Sequence, residues 1–122
     1  MEALRIDRPE PGLVVLALVG EHDIATRREL DETARALIDE PSLLVVDLTC
    51  ASYLDSETLG VLPGLDEALR RQGARLTLVL GRSDVIARAV RITGMLEVIP
   101  HAATLDEAIA LARLNAPPLP AA

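Results

Sequence analysis

Short apolar runs alternate with amphipathic stretches along this chain, a rhythm that predicts strands followed by helices. "ALRID", residues 3–7, alternates in polarity and reads as a short edge strand, after which "RPEPG" turns on Pro9, Pro11 and Gly12. "LVVLALV", Leu13 to Val19, is short, branched and bounded by glycines, as a buried strand should be. "GEHDIA" follows as a loop. Thr26 and Glu29 match a capping box, so a helix is expected to open at Thr26. Its buried face would carry Leu30, Ala34, Leu37 and Ile38, its wet face Arg27, Arg28, Asp31 and Arg35, and Pro41 would end it.

The pattern then repeats. "LLVVDL", Leu43 to Leu48, is a continuous apolar run typical of a central strand covered on both faces. A polar turn comes next, then a helical stretch from Glu57 to Arg71 that stops at Gly73. Pro63 lacks the N–H that should reach the Leu59 carbonyl, so a kink or irregularity is expected there. "RLTLVL", Arg75 to Leu80, is another buried strand. Ser83 caps a helix whose apolar face is Ile86, Ala89, Val90 and Ile92, and Gly94 closes it. "LEVI", residues 96–99, reads as a short strand. Thr104 and Glu107 form a second capping box, opening a last helix with Leu105, Ala108, Ile109 and Ala112 inward. Residues 1–115 are expected to form one domain and 116–122 a mobile Pro-rich tail. The order implies an α/β fold: a mixed, largely parallel sheet of about five strands with about four α-helices, its first two strands an antiparallel pair at one side.

Composition narrows the function. The 122 residues suit one domain with a real core, and that core must be aliphatic, since Phe and Trp are absent and Tyr53 is the single aromatic residue. A net charge of -7 and the lack of stacking platforms argue against nucleic acid. Cys50, the only cysteine, excludes an internal disulfide, fits a reducing compartment and reads as a small buried hydrophobe. The N-terminus lacks a signal-peptide layout, and the apolar run from Gly12 to Gly20 is too short to cross a bilayer, so a cytoplasmic protein without membrane insertion is expected. His22 and His101, the two histidines, share no ligand spacing with each other or with Cys50, so no metal and no cofactor is implied, and each reads as a loop residue in water.

The chemistry of interest lies where the strand ending at Leu48 hands over to a helix, since sites in open α/β sheets gather beyond the carboxyl ends of strands. "YLDSETLGVL", residues 53–62, places Asp55, Ser56, Glu57 and Thr58 there. Taken alone, Ser56 reads first as a helix cap, its oxygen accepting an early N–H. A second reading is available: a phosphate on Ser56 would add nearly two negative charges at a helix end that favours anions, and could repel a docked partner without unfolding the domain.

Three stretches carry a family resemblance: "GEHD" at Gly20–Asp23, "VVDLTCASYLDSETLGVL" at Val45–Leu62, and "VRITGMLEVIPHAATLDEAI" at Val90–Ile109. Together, over about Leu4 to Arg113, they resemble the STAS domains of sulfate transporters and anti-sigma factor antagonists, and imply a STAS-like fold. In the antagonists the Asp-Ser pair before the second helix carries a regulatory serine; the matching residues are Asp55 and Ser56. The resemblance implies an anti-sigma factor antagonist that binds an anti-sigma factor serine kinase of histidine-kinase-like ATPase fold. Phosphorylation of Ser56 would release that kinase, and a serine phosphatase would reset the switch. Asp23, Asp55, Ser56, Glu57 and Thr58 are the implied partner-binding residues, with Thr58 a second acceptor. Glu57 and Thr58 depart from the family, which commonly has a small hydroxyl residue and then glycine after the serine. The alternative within the family is a STAS interaction subunit of a stress-sensing or lipid-transport complex whose Ser56 is never phosphorylated. An enzyme is not implied, because "LDSET" is not the glycine-flanked elbow that presents a hydrolase serine.

Overall fold

A computed structural model of the chain describes residues 2–40 and 43–115. The first helix already ends at Leu37, with Ile38 after it, before the expected stop at Pro41; Pro41 itself and the Pro-rich tail at 116–122 lie outside the described residues. The elements run β1 (Leu4–Glu10), β2 (Leu13–Leu18), β3 (Gly20–His22), α1 (Ile24–Leu37), β4 (Leu43–Asp47), β5 (Ala51–Leu54), α2 (Ser56–Arg70), β6 (Arg75–Val79), α3 (Asp84–Ile92), a 3₁₀ turn (Met95–Glu97), β7 (His101–Ala102) and α4 (Leu105–Leu114). Five strands form the main sheet in the order β1-β2-β4-β6-β7, while β3 and β5 form a separate two-stranded sheet. Only β1 is antiparallel; β2, β4, β6 and β7 run parallel. The α/β class and the mixed, largely parallel five-stranded sheet with four helices are as the sequence pattern requires.

Alternation within the strands sorts the core into two layers. Val14, Leu16 and Leu18 of β2, Leu44 and Val46 of β4, and Leu76 and Leu78 of β6 share one cluster with apolar residues of α1, α2 and α3. Leu13, Val15, Val45 and Val79 point the other way and pack on Ala108 and Ala112 of α4. One helix therefore covers the second face, its small alanines letting the backbone come close to the strands. Leu16, Leu44, Leu76 and Leu78 are fully buried, each worth about 1.5–3 kcal/mol relative to exposure. Membership of this aliphatic core was readable from the runs themselves.

Several local expectations are corrected. β1 continues to Glu10, with Pro9 lying where the register shifts between Asp7 and Glu10 on the sheet edge, a place that tolerates a residue with no N–H to donate. α1 opens at Ile24, not at Thr26: Asp23 is its cap, and Thr26 is the third helical residue whose hydroxyl answers the cap. α2 runs without a break through Pro63. Pro63 and the neighbouring Gly60 and Gly64 lie on the exposed side of the helix, so the ring meets no packed neighbour there. "LEVI" is not a strand: its first two residues belong to the 3₁₀ turn Met95–Glu97, and the pairing strand is His101–Ala102, beside Leu78 and Val79. Ile92 is 79% exposed and does not join the face of α3 formed by Ile86 and Val90. Cys50 is exposed, not buried, because the chain has already left the sheet there. Among the described residues, no helix is long and apolar enough to cross a membrane.

Among the five described glycines at positive φ, two matter most to the path of the chain. Gly94, at φ 79°, turns the chain out of α3. Gly81, at φ 71°, follows β6, and a Cβ there would meet the Thr49 backbone at 3.0 Å. That close approach fixes the loop after β4, in which Asp47 Oδ1 accepts from both the N–H (2.9 Å) and the hydroxyl (2.5 Å) of Thr49.

Candidate functional site

The "GEHD" segment, expected as a loop, forms β3 and pairs in parallel with β5, which the sequence hid inside a polar turn. His22 lies opposite Leu54 in this pair. The next residues, Asp23 and Asp55, are the caps of α1 and α2, so the two helices start side by side beyond the carboxyl ends of the strands.

His22 locks the first start in place. It is fully buried, not a loop residue in water. Its Nε2 faces only carbonyl oxygens, Ala3 at 3.0 Å and Val19 at 3.2 Å, so Nε2 carries the proton and donates. Nδ1 lies 3.1 Å from the Thr26 hydroxyl, which is also 3.3 Å from the Asp23 carbonyl oxygen. Thr26 Oγ1 also accepts from the Asp23 N–H at 3.3 Å, and Asp23 Oδ1 accepts from the Ala25 N–H at 2.9 Å. Both ring nitrogens are thus committed to structure.

At the second start Asp55 takes the capping role that Ser56 was read as filling. Its backbone is extended (φ -78°, ψ 168°), its N–H donates to the His22 carbonyl at 3.1 Å, and its Oδ1 accepts from the Thr58 N–H at 2.8 Å. Ser56 is the first helical residue and is exposed. Because the aspartate serves the cap, the serine hydroxyl is left uncommitted. Thr58 is 1% exposed and faces the core with its hydroxyl buried, while its N–H holds Asp55 in position.

One cation closes the arrangement. Arg27, read from the sequence as a water-facing residue of α1, crosses to the start of α2. Its Nη2 donates to Asp55 Oδ2 at 2.9 Å, and its Nη1 pairs with Glu57. One guanidinium therefore holds both chain neighbours of Ser56. Thr58, whose N–H donates to it, and then the Arg27 guanidinium hold the Asp55 carboxyl below the usual aspartate range despite the opposing effect of desolvation. The Arg27 contact had no signature in the sequence, since it depends on the β3–β5 pairing that brings α1 and α2 together. Asp23, Asp55, Ser56 and Glu57 come together at this edge; Thr58 lies beneath it. Two apolar side chains flank them: Ile24, 78% exposed at the start of α1, and Tyr53, 50% exposed on β5.

The fold that carries these paired helix starts matches a known domain. The family model for the STAS domain covers residues 6–108. An anti-sigma-B factor antagonist of Listeria monocytogenes serovar 1/2a is 32% identical over 98 residues, covering 80% of this chain and 85% of the relative. The chain belongs to the STAS domain family, and its relatives there include single-domain anti-sigma factor antagonists. Among solved structures, an anti-sigma factor antagonist from Mycobacterium paratuberculosis superposes with a TM-score of 0.81 at 28% identity, covering 90% of this chain and 92% of that one. The Bacillus cell fate determinant SpoIIAA in its phosphorylated form shares the fold, with a TM-score of 0.70 at 21% identity over 89% of this chain and 98% of that one.

Proposed function

We propose that this chain is an anti-sigma factor antagonist working by partner switching, with Ser56 as the switch. Unmodified, it binds an anti-sigma factor that is also a serine kinase, using the edge formed by Asp23, Ile24, Tyr53, Asp55, Ser56 and Glu57. The kinase transfers the γ-phosphoryl group of ATP to Ser56 Oγ; the hydroxyl proton is lost and ADP leaves. The dianion then repels the docked partner, and a serine phosphatase hydrolyses the ester to restore the first state. The observation that carries this reading is the division of labour between neighbours: Asp55 supplies the cap, so exposed Ser56 can be esterified without dismantling the helix start. The helix end tolerates the added anion.

The test captures partners on the tagged protein from an extract of its own organism, adds Mg-ATP, and maps phosphate by mass spectrometry. A kinase-like partner that modifies Ser56 and then dissociates is the expected result. A stable partner set with Ser56 unmodified after ATP would instead make the chain a constitutive STAS subunit.

A further inference from the structure

Three negative groups in a row are an electrostatic problem for the proposed switch. Phosphorylation would set a near-dianion between Asp55 and Glu57, two carboxylates adjacent in the chain. The charged groups gathered at the two helix starts are Asp23 and Arg27 from α1 and Asp55 and Glu57 from α2; neighbouring Arg28 is engaged with Glu32 along its own helix. Among the described residues, Arg27 is the cation that pairs with both Asp55 and Glu57.

Its bonding is unequal. The bond to Asp55 is shielded, with side chains 26% and 22% exposed, whereas the Glu57 side chain is 71% exposed and readily replaced by a stronger anion. Arg27 Nε, moreover, is buried with no hydrogen-bond partner, so the guanidinium has a donor in reserve. A planar fork with five donors suits a phosphate's three oxygens better than one exposed carboxylate does.

We propose that Arg27 is the phosphate receptor of this site: when Ser56 is phosphorylated, the guanidinium keeps Asp55 and exchanges Glu57 for the phosphate. Glu57 is then released to solvent, so one covalent event presents two new anionic groups to the partner, the phosphate and the freed carboxylate. This gives Glu57, which departs from the family pattern, a part in the response. Arg27 acts as a positioning residue, holding the phosphate and not taking part in its transfer. The proposal rests on Ser56 being the modified residue, and its test is made independent of any kinase.

Phosphoserine is installed at position 56 during translation by amber suppression, and the phosphate is titrated by ³¹P NMR in the intact chain and in Arg27→Gln and Arg27→Lys variants. A free phosphoserine loses its second proton near about pH 6. The midpoint is expected to rise in Arg27→Gln by roughly half a pH unit, about a threefold weaker acid, with Arg27→Lys between the two. In the unsubstituted chain, the Arg27 Nε–H resonance is expected to move when Ser56 is replaced by phosphoserine, a readout that needs no folded variant. Equal midpoints in all three proteins, or an Nε–H resonance indifferent to the phosphate, would overturn the assignment. Neither result would bear on whether a cell phosphorylates Ser56, which the capture experiment decides separately.

Discussion

Two serines stand at helix starts in this molecule, each followed by an acid, and they are used in opposite ways. Ser83 precedes α3 and is itself the cap: its Oγ accepts from the Ile86 N–H at 3.3 Å, and Asp84 is the first helical residue. Ser56 is one step further in. Asp55 accepts the early N–H, and the serine stands outside the bond that starts the helix. A shift of one residue turns a structural hydroxyl into an available one. Each is followed by an acid, but Arg82 precedes Ser83 where Asp55, itself a good cap, precedes Ser56, and the consequences for substitution should differ sharply.

The largest effect is expected in binding. Ser56→Asp should lose the captured anti-sigma factor by about 100-fold or more, because a new charge against an unfavourable surface costs several kcal/mol, while Ser56→Ala should keep it and resist release by ATP. Surface plasmon resonance on the two variants reads this directly, and equal affinities would remove Ser56 from the switch. Next comes Asp55→Ala, which deletes the α2 cap and strands Arg27; its thermal midpoint should fall by roughly 5 °C or more. Ser83→Ala should cost about 1 kcal/mol in a urea titration. Ser56→Ala should be the smallest, within about 0.5 kcal/mol of the parent. A loss at Ser56 as large as that at Ser83 would mean that Ser56 shares the cap, and the contrast between the two helix starts would collapse.

Acid sharpens the same contrast. The folded Asp55 carboxyl lies below its ordinary range, so its contribution is complete above the unfolded aspartate value and is lost as pH falls through the lower folded value. Asp55→Asn should therefore remove part of the decline in stability below about pH 4, measured by urea unfolding across that range, while Ser83→Ala should leave the decline unchanged.

How much of this was visible beforehand depends on what kind of pattern carries it. Strands such as Leu43–Asp47 and Arg75–Val79 announce themselves because they are buried on both faces, and α4 because Thr104 caps it, accepting from the Glu107 N–H at 3.2 Å. β3 and β5 did not, since strands of three and four residues with polar members fall below the length at which alternation means anything. The start of α1 is ambiguous in the sequence because Asp-x-x-Thr at Asp23–Thr26 and Thr-x-x-Glu at Thr26–Glu29 both satisfy capping chemistry. The buried His22 beneath Thr26 favours the first. At Asp55 and Ser56 both residues are good caps, and only the backbone path out of β5 chooses between them. Helical periodicity puts Arg27 on the wet face of its helix; the ion pair across to α2 belongs to tertiary structure alone.

Tyr53, half-exposed on β5 and two residues before the α2 cap, makes the molecule its own optical instrument. With no tryptophan in the chain, ultraviolet emission comes from a single fluorophore seated at the edge where the partner is proposed to dock. Complex formation would change that emission with no dye attached. Any tryptophan brought near by the partner would accept its energy, so association and ATP-driven release could be followed in real time on the unaltered protein.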